Sequence, residues 1–179
     1  ILPPAIAQEL KTRNKVAARK YDQATVMFID FTGFTQVAER LSPEMLVEEL
    51  DYCFSNFDRI ISQYRIEKIK TIGDAYLCAS GLSDMNASPS DIIRAALEIQ
   101  DFLLALKAER MDRSMPYFEA RVGIHIGPVV AGVVGSKKFA YDIWGDTVNI
   151  AARMEQQCEP GRVNISETTY GLVKYDFNC

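Results

Sequence analysis

Apolar residues in this chain fall into two patterns, short continuous runs and long stretches with helical spacing. Val26-Met27-Phe28-Ile29 is a continuous run, the pattern of a strand buried on both faces, and it predicts a strand over 24–30. Over 42–64 apolar positions recur at helical intervals. Ser42-Pro43-Glu44 opens that helix well, with Ser as N-cap and Pro at the first helical position. Residues 68–80 predict a β-hairpin turning at Gly73-Asp74. The segment SDMNASPSD reads as a loop, and 91–110 as a second amphipathic helix. Residues 118–135 predict two strands around Gly127-Pro128. FAYDIW is a short strand or loop leading into a helix over 146–157 with Asp146 as its N-cap, and VNIS is a further short strand.

This order, β-α-β-β-α-β, predicts one α+β domain with a ferredoxin-like βαββαβ core and helices on one face of a mainly antiparallel sheet. The domain is expected over 21–179. Residues 1–20 begin with Pro3-Pro4 and continue as a polar helical pattern. They read either as an N-terminal arm or as the end of a linker from an upstream sensor domain.

The 179 residues are enough for one domain with a sizeable core. No apolar run reaches the length of about 20 residues that crosses a bilayer, so membrane attachment is expected only through segments outside this chain. Net charge is −4 and Lys/Arg nowhere cluster densely, which argues against nucleic acid as a partner. Cys53, Cys78, Cys158 and Cys179 are scattered without metal-site spacing, which suits core thiols in a reducing, cytoplasmic setting. The one histidine, His125, lies in an alternating run and reads as a satisfied sheet residue rather than a base.

The candidate chemistry lies in three motifs. Asp30 ends the first apolar run, in DFTGFT, and Asp74 stands in KTIGDAY. Two carboxylates at strand ends, beside backbone amides, suit a divalent cation carrying a polyphosphate, because Mg²⁺ usually takes one or two carboxylates and keeps its other positions for water and phosphate. Strand alternation places Lys70 and Ile72 on one face and Glu67, Ile69 and Thr71 on the other. In DIWGDTVNIAARM, Asn149 and Arg153 stand four apart and share a helix face. An amide and a guanidinium projecting together suit a sugar and a phosphate. Each motif alone also fits a bland role as cap, sheet-edge lysine or solvated surface pair.

Taken together, FxDxxGFT, KxxGD and DxWGDTVNxAxRM resemble the catalytic domain of the class III nucleotidyl cyclases, over about 21–175. The resemblance implies that Asp30 and Asp74 bind two divalent cations, Mg²⁺ or Mn²⁺, with the backbone carbonyl of Phe31 as a further ligand. It implies that amides around Phe34 and Thr35 hold the terminal phosphates, that Arg121 contacts phosphate, that Asn149 orients the ribose and that Arg153 stabilises charge on the reacting phosphate. Lys70 and Asp142 match the purine-selecting pair. Adenine offers N1 as acceptor and N6 as donor, which a lysine and an aspartate complement. Guanine reverses both groups and would leave buried polar groups unpaired, at about 1–3 kcal/mol each.

The implied activity is an adenylate cyclase that converts ATP to 3′,5′-cyclic AMP and pyrophosphate by two-metal catalysis. The family shares each site between two domains, the acids coming from one and the base pair with the Asn/Arg helix from the other. Because this chain carries both sets, the resemblance implies a C2 homodimer with two equivalent sites. It also implies two further strands and a Lys-Gly-rich turn following position 179. Alternatives are a guanylate cyclase, which Lys70 and Asp142 argue against, and a non-catalytic nucleotide-sensing or dimerisation module, which typically loses a metal Asp or the Arg. A polymerase-type palm also uses two acids but leaves Lys70 with Asp142, and Asn149 with Arg153, without a role.

Overall fold

The computed structural model of the chain describes residues 2–13, 15–83, 87–135 and 139–177; residues 84–86 of the expected loop, and Cys179, lie outside these. In chain order the elements are α1 (Pro4–Arg13), β1 (Arg19–Thr32), α2 (Phe34–Ala38), α3 (Pro43–Gln63), β2 (Glu67–Ile72), β3 (Ala75–Ser80), α4 (Pro89–Asp112), β4 (Glu119–Val134), β5 (Ala140–Trp144), α5 (Asp146–Gln156), β6 (Val163–Ile165) and α6 (Glu167–Val173). The strands lie in the order β2-β3-β1-β4-β5, antiparallel at each step, with β6 added parallel to β4. This is the expected α+β architecture.

The apolar run in β1 is buried on both faces, as its continuity predicts. Met27, Ile29 and Phe31 join Tyr76, Cys78, Val122 and Ile124 in a core completed by Cys53, Phe57 and Ile60 of α3 and Ile92, Ala96 and Ile99 of α4. On the other face Val26 and Phe28 pack with Leu77, Ala79, Val129 and Ile143, together with Ile6 of α1 and Ala151 of α5. The expectation of helices on one face is therefore corrected. A strand apolar on both sides needs cover on both, and α5 with α1 supplies the second layer.

Several local expectations also change. β4 is one continuous strand rather than two. Pro128 is tolerated because β1 bulges opposite it, Tyr21 pairing with Val129 and Ala24 with Gly127. On the other side of β4, β6 pairs only with residues 122–124 and β5 only with 130–134. The N–H that proline lacks is thus missing where neither of these strands requires it. α5 is capped by Gly145, with Asp146 inside its first turn, where a carboxylate faces the positive end of the helix. α4 starts at Pro89 after Ser88, whose side chain accepts from the Ser90 amide. That repeats the Ser42-Pro43 start of α3, where Ser42 accepts from Met45.

The β2–β3 hairpin forms as expected, but a bulge between Lys68 and Lys70 shifts the register. Glu67 lies opposite Ala79 and Lys70 opposite Leu77, so Glu67 shares the Lys70 face instead of opposing it. Ile69 packs into that same layer. Strand alternation fails here because one residue is extra.

Candidate active site

The β1 register sets Asp30 opposite Ala75 of β3 and opposite Arg121 of β4. Asp74 immediately precedes Ala75, so the hairpin turn is delivered beside Asp30. Arg121 Nη2 donates to Asp30 Oδ2 at 2.9 Å. Its Nε lies 2.9 Å from Glu155 Oε1, an ion-pair contact that departs from hydrogen-bond alignment. Burial pushes the Asp74 carboxyl above the usual carboxylate range; the Asp30 charge adds to this, and a backbone hydrogen bond and Arg121 oppose it. Glu155 is raised in the same way, by burial first and then by Asp30.

Three carboxylates with one guanidinium leave an excess of negative charge in a half-buried place. Asp30 and Asp74 therefore fit a divalent cation. Among the described residues no group of three or more His, Cys, Asp or Glu is arranged to enclose a metal. A carboxylate pair that leaves positions for phosphate and water is the donor set Mg²⁺ takes when it carries a nucleotide.

The neighbouring backbone is held by aromatic packing. The Phe31 ring is buried against Phe118 and Phe54, at 4.7 and 5.8 Å between ring centroids. Gly33 follows with a left-handed φ of 65° and opens α2, a turn that glycine makes without steric cost. Phe34 then stacks on Phe118 at 5.7 Å, while Thr35 is exposed. The two aromatic side chains anchor the loop and leave its turn facing outward.

Lys70 and Asp142 meet elsewhere. Their charged groups are 2.5 Å apart, and Asp142 Oδ1 also accepts from the Ile143 amide at 2.9 Å. No hydrogen bond or ion pair connects this pair to the Asp30 cluster among the described residues.

α5 separates its functional residues by face. Thr147, Ala151 and Glu155 form its buried stripe. The Thr147 hydroxyl donates to the Pro128 carbonyl at 2.6 Å and pins the start of the helix to β4. Gly123 lets the helix approach the strand, because a Cβ there would lie 2.0 Å from the Glu155 nitrogen. Asn149 and Arg153 are exposed. Arg153 and Glu155 are two residues apart, roughly 200° around the helix, so the face that reaches Arg121 is opposite the face that carries Asn149 and Arg153. The Asn/Arg pair points away from the acids of its own chain.

Sequence reasoning missed Glu155. Its only signal is its spacing of four from Ala151 and eight from Thr147, which places it on the inner face. His125 is a satisfied sheet residue, as expected: its Nδ1 is 2.6 Å from Ser166 Oγ, and burial pulls its pKa below the ordinary value. Cys53, Cys78 and Cys158 are free and buried.

Residues 16–179 match the adenylate and guanylate cyclase catalytic domain family, and the chain belongs to that family of nucleotidyl cyclases. An adenylate cyclase of Mycobacterium bovis is 40% identical over 179 residues, covering 99% of this chain and 40% of its own length. A receptor-type guanylate cyclase of Caenorhabditis elegans is 39% identical over 175 residues, covering 97% of this chain and 15% of its own length. The chain thus spans well under half of each relative. Among solved structures, the catalytic core of a rhodopsin-guanylyl cyclase with converted specificity, in complex with ATPαS, superposes with a TM-score of 0.80 at 32% identity, over 90% of this chain and 86% of that one. No helix among the described residues is long and apolar enough to cross a membrane.

Proposed function

We propose that this domain is an adenylate cyclase, forming 3′,5′-cyclic AMP and pyrophosphate from ATP at two equivalent sites of a C2 homodimer, in the cytoplasm where ATP is held. The observation that carries the dimeric reading is the opposition of faces on α5. Arg153 and Asn149 face away from Asp30 and Asp74, so a complete set requires a second copy, and a two-fold interface supplies each contact twice.

In this reading Asp30 and Asp74, with the Phe31 carbonyl, hold two divalent cations, Mg²⁺ or Mn²⁺. When bound, these acidify the ribose 3′-hydroxyl and neutralise the leaving pyrophosphate. The backbone about Phe34 and Thr35, with Arg121, binds the terminal phosphates. From the partner copy, Asn149 fixes the ribose so that its 3′-oxygen lies in line with the α-phosphorus. Arg153 places positive charge where the transition state gains negative charge, a contribution of ~3–4 kcal/mol. Lys70 donates to adenine N1 and Asp142 accepts from N6. The lysine–aspartate pair favours adenine over guanine, which presents the reverse pattern.

The test is cyclic-nucleotide formation by the purified full-length protein with Mg²⁺ or Mn²⁺, offering ATP and GTP separately. Cyclic AMP from ATP, with little cyclic GMP from GTP, is expected. Cyclic GMP as the main product overturns the base assignment, and no product from either overturns the catalytic reading. Asp30→Ala should abolish turnover while the fold survives, as read by circular dichroism.

A further inference from the structure

Glu155 has no part in the reaction as proposed, yet it is a 6% exposed carboxylate one side chain away from Asp30. We infer that Glu155 is a positioning residue for Arg121, and that Arg121 serves as the resident counter-cation of Asp30 until it yields that carboxylate to a divalent ion. The inference rests on the reading of Asp30 and Asp74 as the metal carboxylates.

Arg121 divides its guanidinium between two acids. The outer nitrogen, Nη2, is on Asp30 Oδ2 and the inner one, Nε, is on Glu155 Oε1, each at 2.9 Å. The arginine can therefore leave Asp30 by moving only its tip, since Glu155 retains the stem side of the fork. Backbone contact sets the position of Glu155. Gly123 is two residues from Arg121 on the same strand face, and a Cβ there would meet the Glu155 nitrogen at 2.0 Å and the Ala151 carbonyl oxygen at 2.5 Å. A helix pressed this closely on β4 leaves the carboxylate little freedom to follow Arg121 elsewhere. Asp74 faces Asp30 and Arg121 but makes no ion pair among the described residues. One guanidinium thus pairs with Asp30 and acts through its charge on Asp74, the two carboxylates that together fit a divalent ion.

Two consequences separate this arrangement from an ordinary structural ion pair. Arg121 competes with the divalent ion for Asp30, so its removal should tighten cation binding. Glu155 draws Arg121 away from Asp30, so its removal should weaken cation binding, and only while Arg121 is present. A Glu155 that acted through its own charge would weaken binding in either background.

The experiment is a titration of the full-length protein with Mn²⁺ alone, without nucleotide, following free Mn²⁺ by electron paramagnetic resonance. Arg121→Gln should bind Mn²⁺ at least about threefold more tightly than wild type. Glu155→Gln should bind about threefold more weakly, and adding Glu155→Gln to Arg121→Gln should change nothing further, a coupling that a double-mutant cycle resolves. Arg121→Gln binding no tighter than wild type overturns the counter-cation role. An equal loss from Glu155→Gln in both backgrounds overturns the positioning role. Asp30→Asn separates the two levels: if it leaves Mn²⁺ binding unchanged, the metal reading itself fails. Should a variant not fold, wild-type protein labelled with ¹⁵N-arginine gives the answer. Mg²⁺ should shift the Nη signals of one arginine while its Nε–H stays protected, and arginine signals indifferent to Mg²⁺ overturn the proposal.

Discussion

Lys70 and Asp142 lie on strands at opposite ends of the strand order, 72 positions apart in sequence, and their charged groups meet at 2.5 Å. The sheet therefore curls until its two edges approach. The lysine side chain is 40% exposed and the aspartate 17%, so solvent screens the pair and its worth to stability is small. Both Asp142 oxygens are engaged, Oδ2 by Lys70 and Oδ1 by the Ile143 amide, so in the proposed reading a base edge enters by parting the lysine from the aspartate.

Exchange of this pair should exchange the base. Lys70→Glu with Asp142→Cys presents an acceptor and a small polar group in place of an ammonium and a carboxylate. The double variant should lose most cyclic AMP formation from ATP and gain cyclic GMP formation from GTP, read as the ratio of the two kcat/KM values. An unchanged ratio would remove Lys70 and Asp142 from base selection.

The opposed faces of α5 make a complementation test. Asp30→Asn and Arg153→Ala should each be inactive alone, since every site in either homodimer lacks one component. In an equimolar mixture about half the dimers are mixed, and one of the two sites in each is intact. Activity should therefore return to about a quarter of the wild-type value. No recovery on mixing, with dimers present by ultracentrifugation, would show that each chain builds its site alone.

Gly123→Ala should be strongly destabilising. Its Cβ would fall 2.0 Å from backbone nitrogen and 2.5 Å from a backbone carbonyl oxygen, neither of which can rotate aside, so α5 must lift from β4. The expected cost is ~3 kcal/mol, or about 6–12 °C in Tm. The displacement of Glu155 should appear together with lost activity.

His125 should make the fold acid-sensitive. Its ordinary pKa of 6.5 is lowered by burial, with Asp146 acting weakly in the other direction. The unfolded chain therefore takes up a proton at a higher pH than the folded one, and stability falls as pH drops below about 6.5. The slope can reach about 1.4 kcal/mol per pH unit. His125→Gln should flatten the Tm profile between pH 7.5 and 5.5. Asp74 and Glu155, whose folded pKa values are raised, contribute with the opposite sign, so the comparison with wild type isolates the histidine. Parallel profiles would show that His125 does not titrate in this window.

The legible parts of this chain were those that local chemistry dictates. The run over 26–29, Ser42-Pro43 at the start of α3 and the Gly73-Asp74 turn each specify an element within a few residues of themselves. Pro128 misled for the same reason: it breaks a strand by local rule, and is harmless here only because β1 bulges beside it. The seven-residue α6 is too short to show a period, although Ser166 caps it by accepting from the Thr169 amide. The alternation over 67–72 failed at a bulge that no residue in it announces.

The sequence alone pointed to the family, to the candidate site residues other than Glu155 and to the sharing of one helix face by Asn149 and Arg153, because motif spacing and the 3.6-residue period are properties of the chain itself. Tertiary structure decided which of those residues meet. Strand register placed Arg121 on Asp30, curling of the sheet closed Lys70 onto Asp142, and the close seat of α5 at Gly123 brought Glu155 to Arg121. These are contacts between distant segments, fixed by how two faces of a sheet are covered, and the short-range patterns of a sequence do not encode such pairings.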